Sequence, residues 1–518
     1  MTAVTARGPR PARSWRGSFP LAARLVRVEF RHSAFVWAVP LLALLFVYDP
    51  FRTAAGYPAL WTLRSSVVLD SFWPVCVPFA AGFSAWAGSR EGRRGADDLL
   101  AATVRPAWTR QLCSLAGTLA WVLLAFGAGV AVLYASIARA ATWGGPPAWP
   151  VVAGAVSLTA VCALAFTLGA LFPGRFTAPL VAVGISAFTL AVFSRTVSEG
   201  GTSVFALSPD GIVPQNDAGV FYSVAPDVSI VRVIFFAGCA LGAAGLLGLS
   251  PRTGGAGWRG ALDPASGGGA RLRAAAAAVF GVGIAVAVAG FGLAATATLS
   301  PVTGGVEVPA LHDSASDRLL PYVPVCAAAS DGFRVCLHPA YQGYLTQAVN
   351  SFGPVMAELS GLPGAPARAV QIPGQALPPA VQQAFRDGVV TGSPPAYQFS
   401  MDGAITQVPD PAQFRDGFRQ DIVHAVIVGP VGQLTASGVL LWNGGTPAQQ
   451  AVEDGLLQAI GSQPYPACNP YLQQCAQQPQ VTAAAARFAA LPAATRHAWL
   501  SASLAALKAG RITLAQVP

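Results

Sequence analysis

Between Trp86 and Leu112 the chain reads WAGSREGRRGADDLLAATVRPAWTRQL, flanked by long apolar runs. The segment holds Arg90, Arg93, Arg94, Arg105 and Arg110, with Glu91, Gly95, an Asp97-Asp98 pair and a Leu99-Leu100 pair among them. No nucleophile stands beside a base here, and no ligand set is present; the chemistry these residues support is surface recognition. Asp97 and Asp98 favour the positive end of a short helix. Leu99 and Leu100 then offer an apolar face, with Thr103 on the same short helix. An exposed apolar patch is a liability unless something covers it, so the segment predicts a soluble partner. A purely electrostatic membrane anchor needs the arginines but neither the acidic helix start nor the paired leucines.

Catalytic signals elsewhere are weak. The five histidines, His32, His312, His338, His424 and His497, are scattered. His424 lies in DIVHAVIVG, with Glu453 and Asp454 on a later helix, an order that resembles a zinc-peptidase layout. That motif needs a glutamate directly after the first histidine and a second histidine four positions on. Ala425 and Val428 occupy those places, so base and ligand are both missing, and a satisfied helix histidine is the expectation. No GxSxG or GxxxxGK[ST] pattern occurs, so ATP hydrolysis is expected from another chain, which would carry the ATP and Mg ions. Asp70, near the end of an apolar run, is a candidate for a translocation path, although its position also allows snorkelling to the interface. Asp210, Asp217 and Asp227 fit either an outer vestibule or a solvated loop.

The elements that position these residues are apolar. The chain has 518 residues, 53% hydrophobic and 11% charged, with mean hydropathy +0.51. Soluble domains carry about 25% charged residues, so most of the first 300 residues must face lipid. A spanning helix needs about 20 apolar residues, and seven stretches qualify: 33–48, 66–88, 112–135, 149–172, 176–194, 228–249 and 274–299. The first is short and contains Pro40. Residues 1–19 read as a disordered basic tail. Residues 21–31 read as an interfacial helix, with Leu21, Leu25 and Val28 on one face and Arg24, Arg27 and Arg31 on the other.

Arginine placement sets the orientation. The tail before the first span, loop 89–111 and linker 251–273 carry most of the arginines and are separated by even numbers of spans, so all three are expected in the cytoplasm. Loop 195–227 sets Arg195 against Glu199, Asp210, Asp217 and Asp227, and is expected outside. Residues 300–518 hold ten basic and twelve acidic side chains, a net of −2 against +9 for the whole chain. That leaves +11 beside the apolar segments, which suits a membrane surface, and no nucleic-acid motif accompanies it.

An odd number of spans places residues 300–518 outside the cell membrane. Their four cysteines come as close pairs, Cys326 with Cys336 and Cys468 with Cys475, as an oxidising compartment permits. Ser330-Asp331-Gly332 suits a three-residue hairpin loop with glycine in the left-handed position, which sets Cys326 opposite Cys336. Cys76, Cys113, Cys162 and Cys239 fall in or at the ends of spans, as small apolar residues. Periodicity predicts helices over 339–359, 379–391, 411–427, 446–460 and 492–508, and a strand over 367–372.

At loop 86–112 the chain resembles ABC-2-type transporter permeases, in which a glutamate, a glycine, a Leu-Leu pair and a following basic residue form a coupling helix on the ATPase. The matching positions are Glu91, Gly95, Leu99, Leu100 and Arg105. The interfacial helix and six-span core extend the resemblance over about residues 20–250. It implies an all-α polytopic membrane domain that works with a cytoplasmic ATP-binding cassette ATPase and a second permease copy or a paralogue. No cofactor bound by this chain itself is expected on that resemblance. The seventh span and a mostly helical α+β extracytoplasmic domain depart from that pattern, so the cargo is not implied. The few charges in the spans favour an amphipathic or lipid-like one. A membrane-anchored outer binding or scaffold module is the rival expectation.

Overall fold

The computed structural model describes residues 19–32, 39–55, 58–65, 72–94, 106–199, 206–208, 218–223, 225–250, 267–300, 306–313, 317, 320–329, 332–373, 390–391, 396–401, 411–428, 445–464 and 478–518. The N-terminal part is helical: α1 (Phe19–His32), α2 (Val39–Ala55), α3 (Val77–Gly88, entered through a π turn at Phe72–Cys76), α4 (Ala107–Ala140), α5 (Ala148–Leu171), α6 (Thr177–Glu199), α7 (Asp227–Leu249) and α8 (Gly267–Ala294). Each expected span thus contains helix. Four are long and apolar enough to cross a membrane: α4, α5, α7 and residues 270–294 of α8, while residues 177–191 form a shorter apolar helix. At 1.5 Å per residue, α4 is about 51 Å long against a hydrocarbon core of about 30 Å, so it projects beyond both ends of the predicted 112–135 span.

Small residues let these helices touch backbone to backbone. A Cβ added at Gly169 of α5 would lie 2.0 Å from the Ala85 carbonyl oxygen of α3, and one at Gly88 would lie 2.1 Å from that of Phe166. The same device joins α7 to α8, where a Cβ at Gly238 would meet the Ala287 nitrogen at 2.3 Å and one at Gly283 the Gly242 nitrogen at 2.3 Å. Where lipid provides no hydrophobic drive between helices, such close approach supplies the packing. The last apolar helix is therefore packed against its neighbour and is not a loose tether.

The C-terminal domain is built on a mixed sheet ordered β3-β4-β5-β7-β6: β3 (Val325–Ala328), β4 (Arg334–Leu337), β5 (Arg368–Gln371), β6 (Val390–Thr391) and β7 (Ala396–Phe399). β4, β5 and β7 run parallel, with antiparallel β3 and β6 at the edges. A two-residue hairpin, β1 (Thr298–Leu299) with β2 (Val306–Glu307), links it to α8. The helices are α9 (Leu345–Leu359), α10 (Pro411–Ile427), α11 (Pro447–Ala459), α12 (Gln478–Ala490) and α13 (Ala493–Lys508). Phe352 of α9 centres the core, its ring 5.1 Å from that of Phe399 and 5.2 Å from that of Phe418.

The expected hairpin is present. Cys326 pairs with Cys336 across β3–β4, the two form a disulfide, and Gly332 takes φ 84° in the turn. Cys468 and Cys475 lie outside the described residues. Thr446 opens α11 with a reciprocal capping box to Gln449. One expectation needs correction. The helix expected over 379–391 does not include Val390 and Thr391, which form β6, because their backbone pairs with β7; residues 379–389 lie outside the described residues. On α1, Val28 is 50% exposed, as an apolar side chain facing a membrane surface is. The face packed on α4 is that of Glu29 and Phe30, because the chain must fit against Gly117.

Candidate functional site

α3 ends in a helical turn, Arg90–Arg93, fixed from three directions. Glu91 receives two bonds from Arg110 at the start of α4, Nε to Oε1 at 3.0 Å and Nη2 to Oε2 at 3.3 Å. Arg90 donates to Glu29 of α1 at 3.1 Å. Gly92 lies against Pro173 of the α5–α6 hairpin, where an added Cβ would fall 2.6 Å from the proline ring. Arg93 folds back so that its guanidinium lies 5.0 Å from the Trp86 ring centre and donates to the Trp86 carbonyl at 2.9 Å.

The supports of this turn are themselves anchored. Phe30 of α1 stacks on Trp121 of α4 with centroids 4.1 Å apart, and the Trp121 indole donates to the Phe30 carbonyl at 2.9 Å. Trp108 of α4 donates to the Ala244 carbonyl of α7 at 2.9 Å. A displacement of the turn would thus load α1, α4 and the α5–α6 hairpin together. Of the residues singled out from sequence, Glu91 stands at this junction. Gly95, Asp97, Asp98, Leu99, Leu100 and Arg105 lie outside the described residues, as does Asp70. In the sequence Arg110 is one of five loop arginines; its pairing spans 19 positions and leaves no spacing signal.

At the other end of the helices the C-terminal domain is seated on three connecting segments. Leu60, Leu63, Val220, Phe221 and Tyr222 belong to its buried core. Thr142 donates to the Pro339 carbonyl at 2.7 Å, and Leu320 donates to that of Phe221 at 2.7 Å. His338, directly after β4, fills the joint, with the rings of Tyr322, Trp143 and Phe221 at 4.3, 4.8 and 4.9 Å. Its Nδ1 accepts the Ala340 amide at 3.1 Å, which places the proton of the neutral ring on Nε2. Burial pushes its pKa down to about 4. His338 Nε2, Gln371 Nε2 and Tyr222 Oη are buried there without a hydrogen-bond partner among the described residues.

Asp227 corrects the vestibule and solvated-loop readings. It is 6% exposed, and its carboxylate accepts the Val308 amide at 2.7 Å, tying the root of the C-terminal domain to the first turn of α7. Asp210 and Asp217 lie outside the described residues. His424 and Glu453 do meet: Nδ1 lies 3.1 and 3.3 Å from the two carboxylate oxygens, in the buried contact between α10 and α11. Asp454 beside them is pushed up to about 7 by burial and then by the Glu453 charge. No group of three His, Cys, Asp or Glu side chains among the described residues is arranged to hold a metal. Comparison of the chain with family models, with curated proteins and with solved structures gives no match.

Proposed function

We propose that this chain is the permease subunit of an ATP-binding cassette exporter, driven by a separate cytoplasmic ATPase that docks on loop 89–111. Two copies, or one copy and a paralogue, enclose the path, and the cargo is amphipathic or lipid-like. The observation that carries the reading is the Arg90–Arg93 turn. It is ion-paired to α1 and to α4 and wedged on the α5–α6 hairpin, so a push on the adjoining loop reaches several helices at once. Packed helices answer such a push by rigid-body movement between discrete arrangements.

Leu99 and Leu100 are then the contact with the ATPase, and burying both is worth roughly 3–6 kcal/mol. Leu99→Asp with Leu100→Asp strands two carboxylates in that contact. The test measures membrane abundance of the variant together with the ATPase it retains on pull-down. Normal abundance with the ATPase lost is the expected result. Normal abundance with undiminished ATPase retention overturns the docking role and leaves the anchored outer module as the better account.

A further inference from the structure

α1 carries three arginines and one acid. Its packing on α4 uses Glu29 and Phe30: Glu29 is held by Arg90, and Phe30 stacks on Trp121. Arg24, Arg27 and Arg31 are exposed and follow one another at spacings of three and four, with half-exposed Val28 among them. They form one stripe facing away from α4. Among the described residues none of the three is in an ion pair. Like charges at these spacings oppose helix formation, so the stripe is unfavourable unless something anionic lies along it. The one acid on the helix is already committed to Arg90.

We propose that this stripe is a binding site for the phosphate headgroups of anionic lipids. The occupant follows from charge and from place. Three guanidinium groups on one helical face match a row of phosphates. Val28, also exposed on this helix, adds an apolar contact that a lipid can cover beside the charges. A free phosphate would satisfy the charge but gain nothing from Val28. The site shares its helix with Glu29, so an occupied stripe steadies the helix that holds Arg90. The inference stands on α1 alone and does not require an ATPase.

The test uses the purified full-length chain in detergent. Native mass spectrometry measures adducts with phosphatidylglycerol, with phosphatidylcholine and, as a soluble phosphate, with glycerophosphate. Each basic side chain near an anionic surface contributes about a fivefold factor, so Arg24→Gln, Arg27→Gln and Arg31→Gln together predict phosphatidylglycerol binding weaker by on the order of a hundredfold. The corresponding triple lysine variant should keep most of it. Equal binding of the two lipids, or phosphatidylglycerol binding unchanged in the glutamine variant, overturns the proposal. Glycerophosphate competing as well as the lipid also overturns it, in favour of a free-phosphate site. If the unaltered chain docks no ATPase yet keeps its phosphatidylglycerol binding, the exporter reading fails and this one stands.

Discussion

Glu91→Arg tests whether the helical turn is held as its contacts imply. The wild-type carboxylate takes two bonds from Arg110, and both side chains are 21% exposed. Losing hydrogen bonds to a charged group costs about 1.5–3 kcal/mol. A new guanidinium facing Arg110 at about 4 Å adds repulsion of up to about 4 kcal/mol at an effective dielectric near 20. Partly exposed side chains swing apart and shed most of that. A net cost of about 3 kcal/mol remains, a roughly hundredfold loss in the population with the turn seated. The assay is ATPase retained per unit of permease in the membrane. Glu91→Arg should lower retention strongly at unchanged abundance, and Glu91→Arg with Arg110→Glu should recover much of it by restoring the pair with its charges exchanged. Full retention in the single variant would show that the turn's position is irrelevant to docking. An abundant double variant without recovery would show that this pair does not set that position.

Two further outcomes follow from packing and burial. Gly169→Ala forces a methyl to within 2.0 Å of the Ala85 oxygen unless α3 and α5 separate. It should lower stability by about 1–3 kcal/mol, read as a fall in thermal midpoint, whereas Gly184→Ala, with open space around it, should leave the midpoint unchanged or slightly raised. His338 is neutral in the joint, with a pKa near 4 against an ordinary 6.5. Its contribution is complete above about pH 6.5 and is lost as pH falls from there towards 4. Asp454, raised to about 7, acts in the opposite sense as pH rises from about 4 to 7. The readout is therefore the difference between wild type and His338→Asn, which keeps an acceptor for Ala340: that difference should change between pH 6.5 and 4, and a flat difference refutes the role given to His338.

The elements with strong periods were legible in the residues alone. Helices at 411–427 and 447–459 start and stop within a residue of expectation, and for the second Thr446 and Pro447 form a local start signal. The Cys326–Cys336 pairing followed from a three-residue turn. β7 was not foreseen, since a four-residue strand at 396–399 takes its pairing from β5, 28 positions earlier. Helix α12, QPQVTAAAARFAA, was missed; it opens on Gln-Pro-Gln, without a Ser, Thr, Asp or Asn start signal. At the candidate site Glu91 was legible as a residue of interest, and the structure places it in the turn between α3 and α4. Its partners were not, because Glu29–Arg90 and Glu91–Arg110 join distant positions through the packing of α1 and α4. The seating of the C-terminal domain on Phe221 and Trp143 was hidden for the same reason.

The central claim is that a separate ATPase touches loop 89–111. The most direct measurement replaces Leu100 with a photo-crosslinking benzoylphenylalanine in the full-length chain in intact cells, followed by mass spectrometry of the adducts. The account predicts a covalent adduct with a protein that carries a GxxxxGK[ST] nucleotide-binding loop. Adducts confined to lipid or to the chain itself, with the protein abundant in the membrane, would contradict it.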